Sequence, residues 1–107
     1  MIDKNLILNK LSNIDKKQFG IKKIGLFGSY SKNEQTEKSD IDIFVELIDN
    51  DEMLTNFYNL KSHLETTFGK KIDLVTSGQF DYKYKNPLVA KYKEKVKNEI
   101  LGSVIYV

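Results

Sequence analysis

The 107-residue chain has no cysteine and no arginine, a single proline and a single histidine. Without cysteine there is no disulfide framework and no thiolate chemistry, a pattern that fits a reducing compartment and leads us to expect a cytoplasmic protein. Without arginine, any phosphate contact has to use lysine point charges, backbone N–H groups or hydroxyls in place of a bidentate fork. No apolar run approaches the length of a membrane span, so no membrane association is expected. The first residues pattern as a polar helix with acids and lysines, not as a basic start followed by an apolar signal core. There is also no internal repeat and no low-complexity linker. The length suits one domain, residues 1–107.

About 40% of the residues are apolar, enough for a core, and the net charge is only +2. That small sum hides an uneven distribution. Residues 1–25 carry six Lys against two Asp, residues 26–60 two Lys against eight acids, and residues 61–107 nine Lys against five acids. An acidic middle between basic ends suits a metal-centred site flanked by groups that attract a polyanion such as a nucleoside triphosphate. Ordinary charge fluctuation on a solvated surface accounts equally well for most of the lysines.

Periodicity predicts a helix over residues 3–18, with Ile7, Leu11 and Ile14 on one stripe, Lys16 and Lys17 in its last turn and Gly20 beyond. Ile21 to Phe27 reads as a strand that Gly28-Ser29 ends, opening a short helix or turn over 29–34. Ile41 to Leu47 is a second strand. A long helix follows: acids from Asp49 to Glu52 stand at its start, Met53, Phe57, Leu60, Leu64 and Phe68 recur on one face, and Gly69 ends it. Lys71 to Thr76 is a third strand, and residues 77–86, SGQFDYKYKN, form a loop. Asn86-Pro87 is a cap followed by proline at the first helical position. Leu88, Tyr92, Val96 and Ile100 mark a last helix that Gly102 is expected to break before a short terminal strand. These elements predict an α/β (α+β) fold, a small mixed sheet with helices packed on it.

The strand at Ile41–Leu47 begins in an unexpected way. Aspartate is depleted in strands and side chains alternate between faces, so Asp40 and Asp42 fall on the same face, where like charges repel. A divalent cation relieves that repulsion, and Mg²⁺ takes hard oxygen ligands, commonly one or two carboxylates plus substrate phosphates. A third acid, Asp73, sits inside KKIDLVT between apolar neighbours. Two-metal phosphoryl transfer needs ligands for two neighbouring ions, and Asp73 is the candidate for the second. Gly28-Ser29 lies at a strand-to-helix turn, where glycine lets the backbone approach a ligand and a helix start offers N–H groups to an anion. Each feature alone has an ordinary explanation: a capped turn, a solvated strand end, a charge on an edge strand. Their coincidence does not.

Gly28-Ser29, ten intervening residues, Asp40-x-Asp42 and a later strand aspartate resemble the signature of the nucleotidyltransferase superfamily that includes DNA polymerase β. Length and element order resemble its minimal branch, the antitoxin-like MNT or MntA proteins. The likeness runs through IGLFGSYSKNE, SDIDIFVEL, KKIDLVT and KNEILGSVIYV. It implies a nucleotidyltransferase in which Gly28 and Ser29 hold the β- and γ-phosphates of ATP and Asp40 and Asp42 ligate two Mg²⁺ ions. Asp73 would ligate the ion that activates the acceptor hydroxyl. Where the family commonly has arginine and glycine after the Gly-Ser, this chain has Lys32 and Asn33. Lys32 supplies charge to the nucleotide without the fork, and Asn33 tolerates the left-handed backbone that would keep the turn.

The core leaves no accessory domain for an acceptor, so the acceptor surface is expected on a partner. The resemblance implies an antitoxin that transfers AMP to a tyrosine of a HEPN-family ribonuclease toxin encoded nearby. The alternatives are a non-catalytic antitoxin that inhibits by contact, and a nucleotidyltransferase subunit acting on a small molecule or RNA. Direct nucleic-acid binding is disfavoured by the acidic middle, although Tyr82 and Tyr84, interleaved with Lys83 and Lys85, have the composition of a base-stacking loop. His63 falls off the apolar stripe of its helix and reads as a surface residue. Glu46, on the face of Asp42, reads as a solvated acid at the rim of the site.

Overall fold

β-Branched and aromatic residues concentrate in short runs, and in the computed structural model, which describes residues 2–80 and 83–107, those runs form one mixed sheet. Ile21–Phe27 (β1) pairs antiparallel with Ile41–Leu47 (β2), and Ile72–Thr76 (β3) pairs parallel with β2. A parallel pair needs a crossover, which the helix Met53–Phe68 (α3) supplies. Ile105–Tyr106 (β4) pairs antiparallel with β1, so the sheet order is β3-β2-β1-β4. The remaining helices are Lys4–Ser12 (α1), Gly28–Ser31 (α2) and Pro87–Ser103 (α4).

The two faces of the sheet have different jobs. On one, Ile24 and Leu26, Ile41, Ile43 and Val45, and Ile72 and Leu74 are buried against Ile7 and Leu11 of α1 and Leu60, Leu64 and Phe68 of α3. The alternate positions must point the other way. Register places Phe27, Asp42 and Asp73 side by side in one row of that second face, with Gly25, Phe44 and Val75 in the next. Gly25 is needed there: a Cβ would stand 2.7 Å from the Ile105 carbonyl oxygen of β4. Across it the Phe44 and Tyr106 rings meet edge to face at 6.2 Å.

The expected elements are present with three corrections. The first helix stops at Ser12, not near residue 18. Ser12 Oγ and Asn13 Nδ2 both donate to the Asn9 carbonyl, and Asp15 accepts from the Lys17 and Gln18 N–H groups, so side chains replace the helical ladder with turns. Residues Ser77–Phe80, expected as loop, form a 3-10 turn. Gly102 does not break the last helix, which continues through Ser103 with the Val104 N–H bonded to the Ile100 carbonyl. Within that helix Leu88 and Tyr92 are 79% and 61% exposed, so half of its apolar stripe lies away from the core. The expected caps hold: Asn86 accepts from the Leu88 and Val89 N–H groups ahead of Pro87, and Gly69 closes α3 in the left-handed region at φ 63°. Among the described residues no helix is long and apolar enough to cross a membrane.

Candidate active site

The site grows from the end of β1. Phe27 is the last strand residue, and Gly28, at φ 74°, turns the chain into α2. Asp42, the register partner of Phe27, lies directly over this turn. A Cβ on Gly28 would collide with the Asp42 carboxylate, standing 2.8 Å from its Cγ and 3.0 Å from its Cβ. Both dihedral and space therefore require glycine here. Beyond it the segment curls tightly: buried Ser31 donates its hydroxyl to the Gly28 carbonyl at 2.7 Å, and the Glu34 N–H reaches the Ser29 carbonyl at 2.9 Å. Asn33 sits at φ 58°, the left-handed conformation expected of it from the departure at this position.

Asp42 and Asp73 are register partners on neighbouring parallel strands, and their carboxyls lie close enough to interact. Asp42 is half-buried and Asp73 exposed. Burial, then the charge of Asp73, its hydrogen bond and finally the charge of Asp40 push the Asp42 carboxyl up from 3.8 to about 6. Asp40 is exposed and immediately precedes β2, so it reaches Asp42 through its charge and not as a strand neighbour. Among the described residues no group of three or more carboxylate, imidazole or thiol side chains stands ready to hold a metal ion. What is assembled is the Asp42–Asp73 pair, a hard-oxygen donor set short of cation charge, with Asp40 beside it.

A cleft of about 610 Å³ opens next to Asp73, between the second sheet face and α4. Phe27 and Val75 line its sheet side, Val96 and Ile100 its helix side, with Lys93 and Lys97 on the same wall. Sequence reading missed the two lysines, although their spacing of four in KYKEKVK places them on one side of a helix. Tyr84 and Lys83 also line the cleft, while Tyr82 lies outside the described residues.

The other candidates fall elsewhere. Lys32 caps the C-terminus of α2, exposed, and is not part of the cleft lining. Glu46 is opposite Lys23, four residues along β2 from Asp42, which is roughly 13 Å at strand rise. His63 is exposed on α3, its ring 5.1 Å from that of Phe19, and α3 covers the opposite face of the sheet.

Comparison with known proteins identifies relatives of the chain. The family described as polymerase beta, nucleotidyltransferase, matches residues 9–101. Among curated relatives, the candidate protein adenylyltransferase MJ0128 of Methanocaldococcus jannaschii is 44% identical over 83% of this chain and 86% of its own length. The protein adenylyltransferase MntA of Thermococcus cleftensis is 32% identical over 86% of this chain and 80% of its own. Among solved structures, a candidate minimal nucleotidyltransferase superposes with a TM-score of 0.67 at 22% identity, over 97% of this chain and 95% of that one. A chain from the complex of a tri-AMPylated Shewanella oneidensis HEPN toxin with an MNT antitoxin gives 0.57 at 21% identity, over 96% and 70%. At those identities the structures establish the fold. The match through residues 9–101 and the closeness of the curated relatives establish the rest: the chain belongs to the polymerase β nucleotidyltransferase family.

Proposed function

We infer that this chain is a protein adenylyltransferase, transferring AMP from Mg²⁺–ATP to a tyrosine of a partner HEPN toxin and so acting as the antitoxin of a pair in the cytoplasm. The observation that carries the chemistry is the Asp42–Asp73 carboxyl pair set across two strands over the Gly28 turn. The protein acceptor and the toxin partner rest on what the relatives are named for and on the toxin–antitoxin complex that shares the fold.

The residues fit a hard divalent cation. Asp42 is half-buried against a second carboxyl, among the described residues no lysine is bonded to either, and burial followed by the neighbouring carboxylates raises its pKa. Asp40 and Asp42 would hold two Mg²⁺ ions, and Asp73 would share the one on the acceptor side. When bound, such ions neutralise the triphosphate and lower the pKa of the attacking hydroxyl. The protein's own part is placement. Gly28 and Ser29 receive the β- and γ-phosphates, Lys32 adds a charge at the end of α2, and Asp73 orients the tyrosine hydroxyl in line with the α-phosphorus. The phenol oxygen bonds to that phosphorus, the bond to the bridging oxygen breaks, and pyrophosphate leaves while the phenol proton passes to solvent.

In this reading residues 1–107 act as one domain and the partner brings the acceptor. The outer side of α4, where Leu88 and Tyr92 are exposed, and the basic loop before it offer a docking surface. An RNA acceptor would need a phosphate-tracking surface, which the net six negative charges of residues 26–60 oppose. The experiment is to incubate the protein with Mg²⁺ and ATP, together with its genomic neighbour or with total RNA, and to weigh the products. A gain of AMP units on a tyrosine peptide supports the reading. Label on RNA alone, or tight inhibitory binding without mass change, overturns it.

A further inference from the structure

Of the three acids, Asp40 is the one outside the strands, exposed and one residue ahead of β2. Its two flanking peptide groups are nevertheless both held, and by consecutive residues. The Lys70 ammonium donates to the Ser39 carbonyl at 3.3 Å and to the Glu37 carbonyl at 2.8 Å. The Ile41 N–H donates to the Lys71 carbonyl at 3.1 Å. Peptide groups are planar, so holding the one on each side leaves Asp40 little freedom in φ or ψ and sets the direction of its Cβ.

Lys70 and Lys71 form the corner between α3 and β3. Gly69 closes α3, the two lysines follow, and Ile72 opens β3 with its N–H donating to Glu65 Oε2 at 3.4 Å. β3 then carries Asp73. The segment ahead of Asp40 is a closed turn of its own: the Thr36 N–H donates to Ser39 Oγ at 2.9 Å and the Ser39 N–H to the Thr36 carbonyl at 3.1 Å. A turn bonded to itself can pivot on the residue that joins it to a strand, and the bonds from Lys70 tie this one to the corner. Lys70 is half-buried, so a long, rotamer-rich side chain is immobilised to make them. One corner thus sets both Asp73 and Asp40.

We propose that Lys70 is a positioning residue for Asp40: its ammonium clamps the Glu37 and Ser39 carbonyls ahead of β2, so that the Asp40 carboxyl is presented beside Asp42 to a divalent cation. The proposal rests on the metal-dependent transferase reading for its cation, whereas the clamp itself needs no metal. Lys70 acts only through Asp40. Loss of the clamp therefore lowers cation affinity only while residue 40 is a ligand, a dependence that a merely structural lysine would not show.

The test is a titration with Mn²⁺ alone, read by electron paramagnetic resonance, together with amide hydrogen exchange of the metal-free protein. Lys70→Met removes the donors and keeps the stem, and Lys70→Arg restores donors. Lys71→Met is the neighbouring control, because the Lys71 contact is made by its backbone. Lys70→Met should bind Mn²⁺ about tenfold more weakly, the scale usual for groups that orient a metal ligand, with Lys70→Arg and Lys71→Met near wild type. In an Asp40→Asn background the same Lys70→Met change should cost nothing further. Exchange at Ile41 should quicken in Lys70→Met, while slow exchange at Ile43 reports an intact sheet. Wild-type Mn²⁺ affinity in Lys70→Met, or the same loss with and without Asp40, overturns the proposal. A wild-type protein that binds no Mn²⁺ rejects the metal-dependent reading, and exchange then decides the clamp. Quickening at Ile41 confined to Lys70→Met keeps it, and unchanged exchange overturns it.

Discussion

Replacing Asp42 with asparagine should make the metal-free protein more stable at neutral pH while abolishing transfer. In the native state the Asp42 carboxyl is raised from 3.8 to about 6, first by burial and then by Asp73 and Asp40. The native protein thus holds a proton that the unfolded chain has released. Stability from this group is complete below about pH 4 and lost as pH rises through 6. Two pKa units at 1.36 kcal/mol each cap the cost at about 3 kcal/mol, and solvent screening of a half-buried group lowers it to about 1–2 kcal/mol. Asparagine keeps the shape and a donor for Asp73 but has no charge to desolvate. Urea unfolding in EDTA at pH 4, 5, 6 and 7 reads the difference between variant and wild type. It should start small, grow between pH 4 and 6 and level off above. A variant less stable than wild type at pH 7, or a difference independent of pH, refutes the argument. Added Mg²⁺ should stabilise wild type and leave the variant unmoved, since only the native carboxylates bind it.

Other substitutions probe the remaining parts. Gly28→Ala combines a positive φ with a Cβ driven into the Asp42 carboxylate, and should cost about 2 kcal/mol in thermal unfolding together with activity. Asp73→Asn should retain most of the Mg²⁺–ATP affinity measured by calorimetry but lower turnover by about 100-fold or more, because its proposed task concerns the acceptor. Wild-type turnover in that variant would move the third ligand elsewhere. Gly25→Ala places a methyl against the Ile105 carbonyl, so hydrogen exchange at Val107, whose N–H bonds to the Ile24 carbonyl, should quicken markedly as β4 detaches. Leu60→Ala, fully buried in α3 against the sheet, should cost about 2–5 kcal/mol without changing nucleotide affinity.

Much of this was legible in the chain itself. Strand and helix identities follow from periodicity because burial on one face selects it: Ile41, Ile43, Val45 and Leu47 alternate, and Leu60, Leu64 and Phe68 recur at helical spacing. Caps and turns were equally local, since Asn86 caps its own helix through its side chain and Gly69 and the left-handed Asn33 act through their own backbone. The Gly-Ser and Asp-x-Asp spacing was legible because aspartate within an apolar strand has no packing reason to be there.

The early end of α1 was not legible as a stop, because it depends on Asn9, Ser12, Asn13 and Asp15 side chains competing with the helical ladder. Nor did Gly102 act as a breaker, since helix geometry tolerates a glycine that nothing forces into the left-handed region. Tertiary structure alone decided which acids meet. Asp42 and Asp73, thirty-one positions apart in sequence, become partners through the parallel pairing of β2 with β3, whereas Asp40, two residues from Asp42, stays outside the strand. It also decided that Asp42 packs over Gly28, and that Lys93 and Lys97 face Asp73 across a cleft while Lys91 and Lys95 turn outward. Local propensity is a property of neighbours along the chain. Strand register and the side of α4 that meets the sheet are set by burial of residues far apart in it, and no single segment contains that information.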